Sequence, residues 1–205
     1  MGDPKKQKNK YSKPRHPWQA KRIDYEKGLL KKYGLKNKKE IWKAVSFLEK
    51  VKKQAQNLIA STTKQAEKEK KQLLDKLAKL NLIMRDAKIE DVLDINVEAA
   101  LNRRLQSIVI KKELAQTPKQ ARQLIIHRHI TIGERIVTIP SYMIPLEEED
   151  LINFSNSSKL NNEDHPLRVV LKNEKQKKAS VEEKTETKKE PAEETVVLEG
   201  VEIKN

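Results

Sequence analysis

Apolar residues recur at steps of three and four through most of the first 130 positions, the period of an amphipathic α-helix. The first run ends at Gly34, which predicts a helix over about 18–33 closed by a residue suited to a left-handed cap. Asn37 with Glu40 three residues on marks a second start. After it Ile41, Val45, Leu48, Ala55, Leu58 and Ile59 trace one face, while Lys43, Lys50, Lys52 and Lys53 lie mostly off it. Ser61, Thr62 and Thr63 interrupt the run, and Ala66, Leu73, Leu77 and Leu80 resume it. Two antiparallel helices would bury both stripes against each other. The alternation of Glu67, Lys68, Glu69, Lys70 and Lys71 reads as a solvated helix face.

A short helix over 89–93 and a longer one over about 96–113 come next. In the longer one Val97, Leu101, Leu105 and Ile108 would face a core, leaving Arg103, Arg104, Ser107 and Lys111 as a basic face. The most specific signal begins at Thr117, whose hydroxyl can cap a helix that has Pro118 at its first position and Gln120 where a capping box needs it. Ala121, Leu124 and Ile125 form its apolar stripe; Lys119, Arg122, Gln123 and His127 occupy another face. The period then changes to two in Ile130-Thr131-Ile132 and in 135–139, around Gly133-Glu134, which predicts a hairpin with a type II′ turn. Pro140 ends or edges the second strand. The fold class that follows is α+β and mostly α: a helical region, then a helix pair packed on short antiparallel strands.

Charge gives this architecture a partner. Residues 1–80 carry 24 Lys and Arg against 8 Asp and Glu, and 101–145 carry 8 against 2, whereas 146–205 carry 10 against 15. The excess of +14 is therefore built into the body of the chain, where it suits a polyanion that releases counterions on binding. No cysteine is present, which excludes disulfides, thiolate metal sites and a cysteine nucleophile. With no apolar leader and no membrane-length apolar run, the sequence reads as intracellular and soluble, with no membrane partner. Five glycines form no phosphate-cradling loop, and no paired catalytic carboxylates or Ser-His-Asp arrangement occurs, so the reading is a binding protein and not an enzyme. His127 and His129 lack a nearby third ligand and read as polar contacts, not as a metal site.

Composition and periodicity divide the chain into a basic extended arm (1–17), a helical region (18–95), a compact α+β module (96–155) whose helix pair would present cations to phosphates, and a charged, disordered tail (156–205). The arm has Tyr11 and Trp18 available to stack on RNA or to pin its root. In the tail, the apolar patch of Val196, Val197, Leu198, Val201 and Ile203 is either inert or a docking peptide.

Several blocks carry a family resemblance. Pro14-Arg15-His16-Pro17-Trp18, Tyr33-Gly34-Leu35, Lys39-Glu40-Ile41-Trp42, Arg103-Arg104-Leu105-Gln106, Thr117 to Ile130, and Pro140-Ser141-Tyr142 with Glu148-Glu149-Asp150 stand in the order of that family's blocks. Over roughly residues 1–155 the chain resembles the ribosomal small-subunit protein four family in its archaeal and eukaryotic form, and 101–145 resembles the RNA-binding domain named after it. The resemblance implies a structural, primary binder of 16S-type rRNA in the cytoplasmic small ribosomal subunit, nucleating the subunit body. It further implies contact with small-subunit protein five at an interface linked to decoding accuracy, with no cofactor, metal or small-molecule substrate. The RNA-contacting positions it implies are Arg103, Arg104, Lys111, Thr117, Lys119, Gln120, Arg122, Gln123, His127 and His129, with Arg15, His16 and Trp18 in the arm.

This chain departs from the family pattern in three places. Arg128 stands where glycine is expected between the histidines, so a retained turn would hold Arg128 at positive φ at a cost of about 1 kcal/mol. Gly133-Glu134 replaces the usual Asn-Gly, and the zinc-binding cysteines of many bacterial relatives are absent. Outside the ribosome, the same module would suit a free-standing RNA regulator or stress factor, or an accessory subunit of an RNA-modifying enzyme.

Overall fold

The computed structural model describes residues 9–162, 165, 166 and 168–170, which divide into one compact unit up to Ser158 and a second from Lys159. The second unit holds a 3₁₀ turn, Lys159–Asn161, in a stretch that composition assigns to disorder. Residues 171–205, with most of the expected disordered tail and its apolar patch, lie outside the described residues, as do residues 1–8 of the arm.

In the first unit, helix α1 (Ala20–Tyr33) ends where expected, with Gly34 at φ 56°. Helix α2 (Lys38–Ile59) and helix α3 (Lys64–Lys79) form the expected pair, with the Thr63 hydroxyl accepting from the Ala66 amide at the start of α3. Leu48, Val51, Ala55 and Leu58 of α2 pack with Ala66, Leu73 and Leu77 of α3, and Val92 from a 3₁₀ turn (Ile89–Asp94) closes the same cluster. Leu29, Tyr33, Ile41 and Leu101 form a neighbouring cluster that joins α1 and α2 to the next element.

The single helix expected over 96–113 is two helices, α4 (Val97–Asn102) and α5 (Leu105–Lys111), broken at Arg103-Arg104. The apolar stripe runs on through the break, so helical periodicity conceals it. Tertiary hydrogen bonds make it: the Leu105 amide donates to the Tyr142 carbonyl at 2.8 Å, the Gln106 amide to Pro140 at 3.3 Å, and the Ile144 amide to the Arg103 carbonyl at 3.1 Å. The Leu105 and Gln106 amides and the Arg103 carbonyl, which the break takes out of the helical ladder, thus find partners in 140–144.

Helix α6 (Pro118–Ile126) packs Ala121, Leu124 and Ile125 inward against α5. Strands β1 (Ile130–Ile132) and β2 (Arg135–Ile136) pair across Gly133-Glu134, with Gly133 at φ 59° and Glu134 not at positive φ, the sign pattern of a type II′ turn. After a short helix α7 (Leu146–Glu149), strand β3 (Ile152–Phe154) pairs with the other edge of β1, giving the order β2-β1-β3. Three residues alternating buried, exposed, buried are too short a pattern to be read from sequence, and this third strand was not anticipated.

The helical region meets the module at Gln106, which is almost fully buried inside the apolar stripe. Its amide nitrogen lies 3.1 Å from the Tyr33 carbonyl, 3.2 Å from that of Gly34 and 2.7 Å from that of Pro118, tying the end of α1 to the start of α6. Gly34 is doubly constrained here: its φ is left-handed, and an added Cβ would lie 2.6 Å from the Pro118 Cβ.

Candidate nucleic-acid interface

Helix α6 is set by local chemistry that the sequence spells out. The Thr117 hydroxyl accepts from the Gln120 amide at 3.2 Å, and Pro118 occupies the first helical position, where its missing N–H is no loss. The Gln120 side chain closes the box one residue early, accepting from the Gln116 amide at 2.9 Å. At the other end the Arg128 amide bonds to the Ile125 carbonyl and the His129 amide to that of Leu124, the paired bonds of a Schellman cap. That cap needs left-handed backbone after His127, and Arg128 supplies it at φ 64°. The turn expected for glycine is therefore retained with arginine in it.

The inner face of α6 being buried, Lys119, Gln123, His127 and Arg128 are left exposed along its outer side and C-terminal end. His129 is half-buried, its Nδ1 2.8 Å from the Ser158 hydroxyl and its ring parallel to that of His127 within 3° at a centroid distance of 6.3 Å. Lys111, at the end of α5, and Thr117 are also exposed. This is a row of donors on a rigid helix whose opposite side is core.

Three of the arginines proposed from sequence for this face are placed elsewhere. Arg103 is 5% exposed and Arg104 6%, so the basic face expected on 96–113 does not form. Arg103 pairs with Glu149 at 2.7 Å and donates to the Ile144 carbonyl at 3.0 Å. Arg104 pairs with Glu40, and Arg122 reaches the same carboxylate from α6 at 3.0 Å. The helix break is the physical reason, since it turns both arginines from the outside of a continuous helix into the seam between elements. At Glu40, burial acts to raise the carboxyl pKa, but hydrogen bonds from Arg122 and Arg104 and their positive charges outweigh it, and the group stays below its ordinary value of 4.5. The Asn37 and Glu40 pair does mark the start of α2, but no side-chain cap forms at Asn37 and Glu40 is spent on the arginines; the sequence clue to this role is an acid set among Lys36, Lys38, Lys39 and Lys43.

The described part of the arm is docked, not free. Tyr11 packs on Trp42 with ring centroids 5.9 Å apart, and the Ser12 amide donates to the Ser46 hydroxyl at 3.0 Å. Arg22 holds the His16 and Pro17 carbonyls at 2.9 and 2.8 Å. Buried Glu26 anchors Arg22 and also receives Lys38 and the Trp42 indole N–H. Burial would raise the Glu26 pKa, yet the bonds from Trp42, Lys38 and Arg22 together hold it lowered. Arg15, His16 and Trp18 remain exposed on this pinned backbone.

Among the described residues, no helix is long and apolar enough to cross a membrane, and no three His, Asp or Glu side chains are grouped to hold a metal.

Residues 103–150, from the helix break through α7, match the S4 domain. Small ribosomal subunit protein uS4 of Picrophilus torridus is 47% identical over 179 residues, spanning 86% of this chain and 98% of that protein. The proteins of the same name from Methanococcus aeolicus and Thermoplasma acidophilum are 46% and 42% identical, over 82% and 89% of this chain and 96% and 94% of their own lengths. With identity of this order across both the helical region and the module, the chain belongs to the uS4 family of small ribosomal subunit proteins.

Proposed function

We propose that this chain is a structural, rRNA-binding constituent of the small ribosomal subunit that docks early on 16S-type rRNA and nucleates the subunit body. The observation that carries the RNA side of this reading is the outer side of α6, where Lys119, Gln123, His127 and Arg128 stand exposed on a helix that is capped at both ends and packed behind. Cations there would meet backbone phosphates, and the glutamine and histidine would orient the contact, so recognition is electrostatic and shape-based. Lys111, Thr117 and His129 would extend the contact, and Arg15, His16 and Trp18 would add the arm. Arg103, Arg104, Arg122 and Gln120 would serve it indirectly, by holding the elements that carry the exposed donors.

For the neighbouring subunit proteins, and protein five in particular, the chain offers a different surface. Ile136, Ile139, Leu146 and Leu151 are exposed beside Glu147 and Asp150, and Arg135 and Glu148 join β2 to α7 across this patch. An apolar, acidic face repels phosphate and suits a basic protein neighbour. Through such a contact the chain would influence decoding accuracy.

Sedimenting cytoplasmic extract through a gradient at moderate and at high salt tests the assignment. Co-migration with the small subunit at both salts is the expected result. A peak at the top of the gradient, or salt-labile association, would overturn it in favour of a free-standing RNA-binding regulator.

A further inference from the structure

We propose that Glu40 is a positioning residue for RNA binding, which holds helices α5 and α6 in register with the N-terminal arm so that both surfaces engage one RNA at once. The proposal rests on the RNA-binding reading above, in which α6 and the arm each carry contacts, and assigns the group that keeps the two in step.

The first turns of α2 hold both surfaces. On one side Trp42 donates its indole N–H to buried Glu26 at 3.0 Å and packs on Tyr11 of the arm, and Ser46, one turn on, accepts from the Ser12 amide. Glu40 stands two positions before Trp42, about 200° away around the helix axis, and faces the module. Its Oε1 accepts from Arg122 of α6 at 3.0 Å and its Oε2 from Arg104 at the start of α5. Helices α5 and α6 are packed together along Ala121, Leu124 and Ile125, so they move as a pair. Gln106 ties this pair to the end of α1, and Glu40 ties it to α2. One anchor would let the pair pivot; two on different helices set its direction.

By charge alone Glu40 works against the proposed function. A carboxylate near a phosphate-binding surface repels the ligand, and by pairing Arg104 and Arg122 it takes two cations out of the field that RNA meets. On that account its removal would tighten binding and steepen the salt dependence. Positioning gives the opposite sign. When two surfaces are held in register, the second contact with one RNA is made intramolecularly, and that gain disappears with the register.

The full chain and its variants are titrated with transcribed 16S-type rRNA across a range of salt, with a melting curve taken on each preparation. Glu40→Gln is expected to weaken binding about tenfold and to make the salt slope shallower, as phosphates on one surface go unmet. In a chain that already carries Arg15→Ala and Trp18→Ala, the same substitution should cost less than about twofold, because no arm contact is left to keep in step. Glu40→Asp, which keeps the counter-charge but withdraws it by one methylene, carries the same comparison if Glu40→Gln does not fold. Unchanged or tighter binding overturns the proposal. So does an equal loss in both backgrounds, the mark of a residue that only stabilises the fold. If the parent chain binds rRNA and the variants give either of those results, the RNA-binding reading stands and the positioning role alone is wrong; a parent that does not bind overturns both.

Discussion

Glu40 and Arg122, 82 positions apart, meet carboxylate to guanidinium at 3.0 Å, with a second contact at 3.3 Å. Arg104 donates to Oε2, the oxygen of that second contact, so one acid on α2 ties the helical region to α5 and to α6. Removing it leaves two largely buried guanidinium groups without their counter-charge, which costs about 3 kcal/mol. Glu40→Ala should lower the urea midpoint by a corresponding amount, and an unchanged midpoint would show the carboxylate to be dispensable.

Acid should loosen the same joints. The Glu26 and Glu40 carboxyls both titrate below their ordinary value of 4.5 in the folded chain, so the unfolded chain takes up protons first as pH falls. Their stabilisation is complete above that ordinary value and disappears as pH drops through the lowered folded values. Urea midpoints measured from neutral pH downward should fall steeply below about 4.5, and less steeply in Glu26→Gln.

Among the described residues, the left-handed glycines Gly34 and Gly133 separate conformational cost from steric cost. At Gly133, φ 59° with no atom within 4 Å of an added Cβ, alanine meets only the left-handed penalty of about 1 kcal/mol. At Gly34 the same penalty is joined by overlap with Pro118, whose Cβ would be 2.6 Å away and whose carbonyl carbon 3.0 Å, for a total of about 3 kcal/mol. Thermal melts of Gly34→Ala and Gly133→Ala should differ accordingly, and equal shifts would refute the close approach of α1 to α6.

Arg128 bears the left-handed penalty that glycine would avoid. Arg128→Gly should raise stability by about 0.5 kcal/mol, the relief of that penalty less the added freedom of the unfolded chain. If Arg128 also meets a phosphate, the variant will be more stable and bind rRNA with a salt slope shallower by about 0.9. Melting and salt-dependent binding, measured on one preparation, check both.

Exposed and buried cations should fail in different ways. Lys111→Ala with Lys119→Ala should weaken rRNA binding and flatten its salt dependence by about 1.8 while the melting transition barely moves. Arg103→Ala, which strands Glu149 and frees the Ile144 carbonyl, should lower the melting temperature instead. An Arg103 variant with parental stability and weakened RNA binding would return that side chain to the interface.

What the sequence determined by itself is what local forces decide. The helix stop at Gly34, the break at 61–63, the capped start at Thr117, the stripes of α2, α3 and α6 and the hairpin at Gly133-Glu134 were legible because caps, periodicity and turn residues act over a few neighbours. The family was legible too, carried by blocks spread along most of the chain. Tertiary structure alone decided the break at Arg103-Arg104, the third strand, Gln106 as a buried tie and the capture of three arginines by Glu40 and Glu149. Each of these depends on a partner 12 to 82 positions away. A charged side chain reads as surface in sequence because burying it is costly, and only the arrival of an opposite charge from a distant element removes that cost.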